Sequence, residues 1–173
     1  MRCTIRSFIL WASTAAAVLL LGGCSLKEYK RTEPKLITLK TKQLRFNDVG
    51  FIRKEGDAVQ AELFSAGQAV ERFEINRLVC VTRGCLTKSA FNAEYLSPEY
   101  PDSLMQEVLL GVPIFEGEGM QRSGSCFEQK VKRAAFDIHY RVAPGEVYFK
   151  DRMNGILVKI RDLPEAKKEN DAE

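Results

Sequence analysis

Residues 136–162 read FDIHYRVAPGEVYFKDRMNGILVKIRD, and no other part of the chain indicates its structure so clearly. Apolar and polar residues alternate through it, which is the period of a β-strand with one buried face. Pro144-Gly145 and Asn154-Gly155 interrupt the alternation, and Asn-Gly is a strong hairpin signal because both residues tolerate positive φ. The segment therefore predicts a three-stranded antiparallel meander. Its apolar face is expected to carry Phe136, Ile138, Tyr140, Val142, Val147, Phe149, Ile156, Val158 and Ile160.

An earlier part of the chain has the same alternation. Residues 44–52 predict two short strands around a bulge or bend at Asp48 to Gly50. Turns that contain Gly then separate further strand regions at 59–64 and 70–81. This part is expected to form a second meander. Its apolar face is expected to carry Leu63, Phe73 and Ile75.

Two short helices are predicted between the meanders. Thr87 is placed to cap the first, which extends to Tyr95, and Ser103 with Gln106 has capping-box spacing for the second. Gly111 is a natural stop for that second helix. Residues 116–125 contain three Gly and two Ser and are expected to be a mobile loop. The predicted fold class is mainly β with α (α+β), a curved antiparallel sheet or incomplete β-barrel covered by two short helices.

The N-terminus has the organisation of a lipoprotein signal peptide. Arg2 and Arg6 precede an apolar run, and Leu21-Gly22-Gly23-Cys24 resembles the bacterial lipobox, in which cleavage falls before the Cys and its thiol is acylated. The resemblance implies a signal peptide at 1–23 and lipidation of Cys24, so that a lipid anchors the mature chain to a membrane. Residues 24–43 are then the acylated Cys and a basic tether, 44–163 a single β-rich globular domain, and 164–173 a disordered charged tail.

Five cysteines are present, and three remain once Cys3 leaves with the leader and Cys24 carries lipid. Cys80 and Cys85 flank Thr82-Arg83-Gly84, which can form a turn, so a Cys80–Cys85 disulfide is the preferred interpretation. The alternatives are a bridge from Cys126 to one of them, or three free thiols. The spacing is wider than the C-x-x-C of redox enzymes.

Composition and motifs argue against several classes of protein. With 26 basic and 23 acidic residues, the chain lacks the charge excess of a nucleic-acid-binding protein. No G-x-S-x-G elbow or phosphate-binding loop occurs, and the one histidine, His139, lies on the polar face of its predicted strand. We therefore expect no enzyme activity, no cofactor and no metal site.

The many aromatic residues admit two interpretations, which are core filling or an apolar cavity that holds an acyl chain. In the first, the helix with Leu104 and Val108 fills the concave side of the sheet and the protein is a packed scaffold. In the second, that helix is a lid. The residues expected around such a cavity are Leu63, Phe73, Ile75, Leu104, Val108, Phe136, Ile138, Tyr140, Phe149, Ile156 and Val158.

The order of lipobox, basic tether, meander, two helices, loop and final meander resembles the outer-membrane lipoprotein-receptor family (LolB-like). The resemblance also rests on Tyr100-Pro101-Asp102-Ser103-Leu104, on Gly111-Val112-Pro113 and on 147–160. It implies a half-barrel that binds lipid or lipoprotein cargo through acyl chains, and a lipid-anchored location in the cell envelope, at the outer membrane. The turn at 65–68 lacks the protruding apolar residue by which that receptor delivers its cargo. The alternative is a structural or assembly lipoprotein that tethers an envelope protein partner.

Overall fold

A computed structural model describes residues 33–164. The predicted signal peptide, Cys24 and the charged tail beyond residue 164 lie outside the described residues. The strands in the described range are β1 (Pro34–Lys40), β2 (Arg45–Glu55), β3 (Ala58–Ser65), β4 (Gln68–Ile75), β5 (Val79–Val81), β6 (Gly84–Leu86), β7 (Met120–Ser123), β8 (Cys126–Arg133), β9 (Phe136–Ala143), β10 (Glu146–Asp151) and β11 (Ile156–Asp162). The helices are α1 (Lys88–Tyr95) and α2 (Leu104–Leu110), and a 3-10 turn follows at Phe115–Gly117.

All these strands belong to one antiparallel sheet in the order β6-β5-β4-β3-β2-β1-β11-β10-β9-β8-β7. Strands that are adjacent in the sheet are also consecutive in sequence, with one exception. The exception is the pair of β1 and β11. The pair joins two meanders, β1–β6 and β7–β11, into a curved sheet that leaves β6 and β7 as open edges. The predicted α+β class with a curved antiparallel sheet is confirmed, and the sheet is not closed into a barrel.

The core lies on the concave face of the sheet, between the strands and the two helices. Alternate residues of the strands point into it, and α2 contacts both β3 and β10, one strand from each meander. Burial of this face is the main stabilising contribution, because apolar area removed from water is worth about 25 cal/mol per Å². Within residues 33–164, no helix is long and apolar enough to cross a bilayer.

The C-terminal meander of β9, β10 and β11 is confirmed with the predicted apolar face. The bulge predicted at Asp48 to Gly50 is wrong, since β2 is continuous through both residues and keeps its register with β1. Within the strand, Asp48 Oδ1 accepts a hydrogen bond from the Val49 N–H at 2.8 Å. Gly50 is needed in the strand, because a Cβ there would lie 2.6 Å from the Glu62 carbonyl oxygen of β3 and equally close to Ile37 Cδ1.

The folded part of the chain begins earlier than the boundary expected at residue 44. Pro34–Lys40 forms β1 at the centre of the sheet rather than the end of a tether. Ile37 explains this position, since it is 3% exposed and packs over Gly50 in the core. The long strand region predicted at 70–81 is divided by a turn at 76–78 into β4 and β5.

The helices agree with the sequence in their positions, although not in every cap. Thr87 caps α1 as predicted, with its hydroxyl accepting from the Ala90 N–H, and Gly111 ends α2 at φ 73°. The capping box at Ser103 is wrong, because the Ser103 side chain makes no cap hydrogen bond. Gln106 instead donates to the Asp57 carbonyl and accepts from Lys88 Nζ, so that it links α2 to the β2–β3 turn and α1.

The loop expected at residues 116–125 is partly ordered as a strand. Met120–Ser123 forms β7 at one edge of the sheet, paired with β8. The segment before β7 is held by Gln129 of β8, whose amide accepts from the Ile114 N–H and donates to the Ile114 and Glu118 carbonyls, each at 2.9 Å. The prediction of a mobile loop is wrong for 120–123, because the backbone there pairs with β8.

The predicted Cys80–Cys85 disulfide is present, and Cys126 is a free thiol. The two bridged residues lie directly opposite each other in the β5–β6 hairpin, one residue pair from its turn. Because the closed loop is short, the chain-entropy model gives the bridge about 2 kcal/mol of stabilisation. The bridge fixes the sheet edge from which α1 begins.

Candidate functional site

An apolar cavity lies between the N-terminal meander and the two helices. The cavity volume is about 40 Å³. A single water molecule needs roughly 10–15 Å³ of such volume. Its lining is entirely apolar, since Thr41 and Tyr95 contribute only carbon atoms to it. The lining residues are Ile37, Leu39, Thr41, Leu44, Ile52, Ala61, Leu63, Phe73, Ile75, Phe91, Tyr95, Leu96, Met105, Leu109 and Val158.

The sheet wall of the cavity follows from strand register. Ala61 of β3 lies opposite Ile52 of β2 and Phe73 of β4, so one row of side chains crosses three strands on the same face. Ala61 is the small member of that row, between two large ones, and the wall is therefore indented there. Gly50 lets Ile37 lean across β2 to extend the wall toward β1.

The helical wall is built from aromatic side chains of α1 and aliphatic side chains of α2. Phe91 stacks on Tyr95 at 4.8 Å between ring centroids and meets Phe73 of the sheet edge-on at 6.4 Å. The Tyr95 hydroxyl accepts from Arg83 Nη2 at 2.9 Å, which ties α1 to the disulfide-bridged hairpin. Met105 completes this wall, and its unbranched thioether can change rotamer at low cost.

The predicted cavity residues divide into two groups in the structure. Four of them, Leu63, Phe73, Ile75 and Val158, line the cavity. The other seven are buried in the core but do not line it, and most lie on the C-terminal meander. These seven are Leu104, Val108, Phe136, Ile138, Tyr140, Phe149 and Ile156.

The C-terminal half of the concave face is filled by α2 and the segment after it. Leu104 and Val108 are each 1% exposed, so this face of α2 is part of the packed core. The Tyr140 hydroxyl donates to the Val112 carbonyl at 3.0 Å, and Gln129 holds the backbone of Ile114. The link from α2 to β7 is thereby fixed to the C-terminal meander.

A buried carboxylate anchors the segment between the helices. Asp151 is 0% exposed and accepts hydrogen bonds from the Tyr100 hydroxyl, from Asn154 and from the backbone N–H groups of Asp137 and Met153. Burial alone raises the pKa of Asp151, but these hydrogen bonds outweigh it and the pKa is lowered. Burial and the neighbouring carboxylate raise the pKa of Tyr100. The pair fixes the start of α2 relative to β10.

A second buried carboxylate lies on the convex face of the sheet. Glu62 is 7% exposed and forms ion pairs with Arg72 and, at 2.8 Å, with Arg53. Burial raises the pKa of Glu62, and the hydrogen bonds from Arg72 and Arg53 outweigh it, so the pKa is lowered. Because Glu62 of β3 pairs with an arginine from each neighbouring strand, the cluster joins β2, β3 and β4.

Sequence reasoning missed the residues that come from the helical wall and from β1. Phe91, Tyr95, Met105 and Leu109 are apolar residues at helical spacing, which is also the pattern of any buried helix face. No signal in the sequence separates lining residues from core residues of the same helix. Only Ala61, a small residue in a row of large ones, marks the position of the cavity in the sequence.

Within residues 33–164, no group of three or more His, Cys, Asp or Glu side chains is arranged to hold a metal ion. Comparison of the chain with protein-family models, curated proteins and solved structures found no match.

Proposed function

We propose that the protein is an envelope lipoprotein, anchored through Cys24, whose globular domain binds an acyl chain of a lipid or lipoprotein. The observation that supports the proposal is the apolar cavity beneath α1 and α2. An acyl chain would be recognised there through apolar contact alone, as hydrophobic ligands are in apolar pockets. A role in lipoprotein localisation at the outer membrane, as in the LolB-like receptors, fits this binding activity.

Binding of a complete acyl chain requires the cavity to enlarge. At about 40 Å³ it holds little more than a few water-sized spheres, so a longer chain must displace side chains of the helical wall. Met105 and Leu109 are suited to this, since they lie on α2 beside the cavity and outside the hydrogen-bonded contacts around Gln129 and Asp151. The C-terminal meander would stay packed while the cavity opens.

We expect Ala61→Met to weaken acyl-chain binding by about tenfold, equivalent to about 1.4 kcal/mol. The longer side chain would occupy the indentation that Ala61 leaves in the sheet wall, where the ligand is to lie. The measurement is a titration of a fluorescent fatty acid into the full chain carrying Cys24→Ser, which removes the lipidation site. Thermal unfolding of each variant verifies that it is folded.

Ala69→Met is the matched control, because Ala69 is exposed on the neighbouring strand β4 and does not line the cavity. It should bind the fatty acid as the unsubstituted domain does. If the folded domain with Ala61 intact binds no fatty acid, the acyl-chain function is refuted.

The small volume of the cavity favours a second candidate function, a packed scaffold that tethers an envelope protein partner. In that case the whole concave face is packed core, as it is around the seven buried residues that do not line the cavity. The cavity is then an ordinary packing defect. The same titration separates the candidates, since a scaffold gives no fatty-acid binding in either variant.

A further inference from the structure

A row of basic residues crosses the convex face of the sheet. Six residues, one from each of β8, β9, β10, β11, β1 and β2, lie opposite one another in successive strand pairs. In that order they are Lys130, His139, Lys150, Leu157, Lys40 and Arg45. Neighbouring strands are about 4.8 Å apart, so the row extends over roughly 24 Å. Leu157 is its one apolar member, and it contains no Asp or Glu.

The row faces away from the core and the cavity. Its residues alternate along their strands with residues of the concave face, as Lys150 does with the buried Phe149 and Lys40 with Leu39, which lines the cavity. Successive side chains of a strand point to opposite faces of a sheet. The lysines and the arginine of the row are all exposed, and their charges lie on the surface opposite to the two helices.

Most of this charge is not compensated within the domain. Lys130 has a carboxylate partner, Glu128, at 2.7 Å. Lys40, Arg45 and Lys150 form no ion pair with any residue in 33–164. The convex face of the N-terminal meander differs, since its buried carboxylate has an arginine partner on each side.

Strand pairing brings the like charges of the row together at a cost to the fold. Lys40 and Arg45 are directly opposite each other, and His139 lies between Lys130 and Lys150. Like charges at opposed positions destabilise a strand pair. A structural role therefore does not explain the row, whereas an anionic partner would offset the repulsion.

We infer that this convex row is a docking surface for the anionic phospholipid head groups of a membrane. A convex face suits a broad charged surface, because small ligands bind in concave sites. Residues 25–42, which lead from Cys24 through β1, hold six basic and two acidic residues and would add to the same attraction. Glu33 is nine residues after Cys24, which is up to about 30 Å of extended chain. The row and a lipid on Cys24 can therefore reach one bilayer.

This inference uses the envelope location proposed above and does not depend on acyl-chain binding in the cavity. A single acyl chain holds a protein at a membrane only weakly, whereas a chain combined with basic residues holds it stably. The row would also orient the domain, with the sheet against the membrane and α1 and α2 facing away from it.

The test measures binding of the predicted mature chain, residues 24–173 carrying Cys24→Ser, to phospholipid vesicles by co-sedimentation. The compact unit begins at Thr32, so removal of 1–23 leaves it complete. We expect vesicles of phosphatidylglycerol and phosphatidylcholine in equal parts to bind about tenfold more tightly than vesicles of phosphatidylcholine alone. Each Lys or Arg near an anionic membrane strengthens binding up to about fivefold. The preference should decrease as the salt concentration rises, because salt screens the attraction.

The test variant is Lys40→Gln with Lys150→Gln, which removes the two cations beside Leu157. We expect it to bind the anionic vesicles about tenfold more weakly. The matched control is Arg77→Gln with Arg122→Gln, which should bind as the unsubstituted chain does. These arginines are exposed but outside the row, in the turn between β4 and β5 and on the edge strand β7. All four side chains are on the surface, so both variants are expected to fold, and thermal unfolding verifies this.

A fluorescent label tests which face of the sheet meets the membrane. A nitrobenzoxadiazole label attached at Leu157→Cys should gain fluorescence with the anionic vesicles. The same label at Val112→Cys, on the helical side, should not. Both variants also carry Cys126→Ser, which removes the free thiol of the described residues.

Several results would overturn the inference. These are absence of binding to anionic vesicles, equal binding to the two kinds of vesicle, equal loss of binding in the test and control variants, and an equal fluorescence gain at both labels. If polyphosphate bound through Lys40 and Lys150 while anionic vesicles did not bind, the row would belong to a soluble polyanion instead. None of these results bears on the acyl-chain function, whose fatty-acid titration contains no membrane.

Discussion

Val108→Asp is expected to destabilise the domain by about 4 kcal/mol or more, because an unpaired carboxylate would be buried in an apolar core. Val108 is 1% exposed and lies on the face of α2 that fills the C-terminal half of the sheet. Single domains have total stabilities of about 5–15 kcal/mol. Urea denaturation followed by circular dichroism should therefore find this variant largely unfolded or close to it.

Val112→Asp is the matched control for this change. It introduces the same substitution four residues along the chain, at a position that is 40% exposed. It should change the free energy of unfolding by no more than about 0.5 kcal/mol, as most surface substitutions do. If Val108→Asp were as stable as Val112→Asp and changed only ligand binding, this face of α2 would be a mobile lid rather than part of the core.

Asp151→Asn is expected to cost about 3 kcal/mol at pH 7, although it preserves the shape of the side chain. The Asp151 carboxylate accepts from the Tyr100 hydroxyl and from Asn154 Nδ2 through the same oxygen. An amide NH₂ at that position would face two donors, which leaves buried polar groups without partners. Chemical denaturation of the variant measures the cost.

The same carboxylate predicts a pH dependence. The pKa of Asp151 is lowered in the folded protein, so its contribution to stability is complete above the unfolded value of about 3.9 and is lost as the pH falls through the folded pKa. The difference in free energy of unfolding between the unsubstituted domain and Asp151→Asn should therefore shrink below about pH 4.

Asp137→Asn serves as the control for both Asp151 measurements. Its carboxylate is partly exposed and lies 3.9 Å from Arg152, a weak contact that contributes at most about 1 kcal/mol. A constant difference between the unsubstituted domain and Asp151→Asn from pH 7 to pH 3 would contradict the role given to the charged form of Asp151.

Much of the sheet could be predicted because its side chains alternate with the period of a strand. Asn154-Gly155 placed the last hairpin correctly, and the capping residue Thr87 placed the start of α1. β7 was not predicted, since the Gly and Ser residues around it are typical of a loop and its strand pairing with β8 has no apolar alternation to indicate it. β1 was placed in the predicted tether, because its basic residues resemble those of such a segment.

The sequence predicts which face of the sheet forms the cavity, but not which residues of that face line it. Alternation places Leu63 and Phe136 on the concave face equally, but only Leu63 lines the cavity. The difference depends on where α2 crosses the sheet, and that crossing is fixed by Tyr100, Asp151 and Gln129 together. Contacts between such distant residues cannot be derived from local periodicity.

Photo-crosslinking with a fatty acid that carries a diazirine at its terminal carbon tests the acyl-chain function most directly. After irradiation of the full chain carrying Cys24→Ser, tandem mass spectrometry locates the adducts. We predict adducts at Leu63, Met105 and Leu109, which line the cavity, and their loss with excess unlabelled fatty acid. Adducts at convex-face residues such as Tyr148, or labelling that unlabelled fatty acid does not reduce, would contradict binding in the cavity.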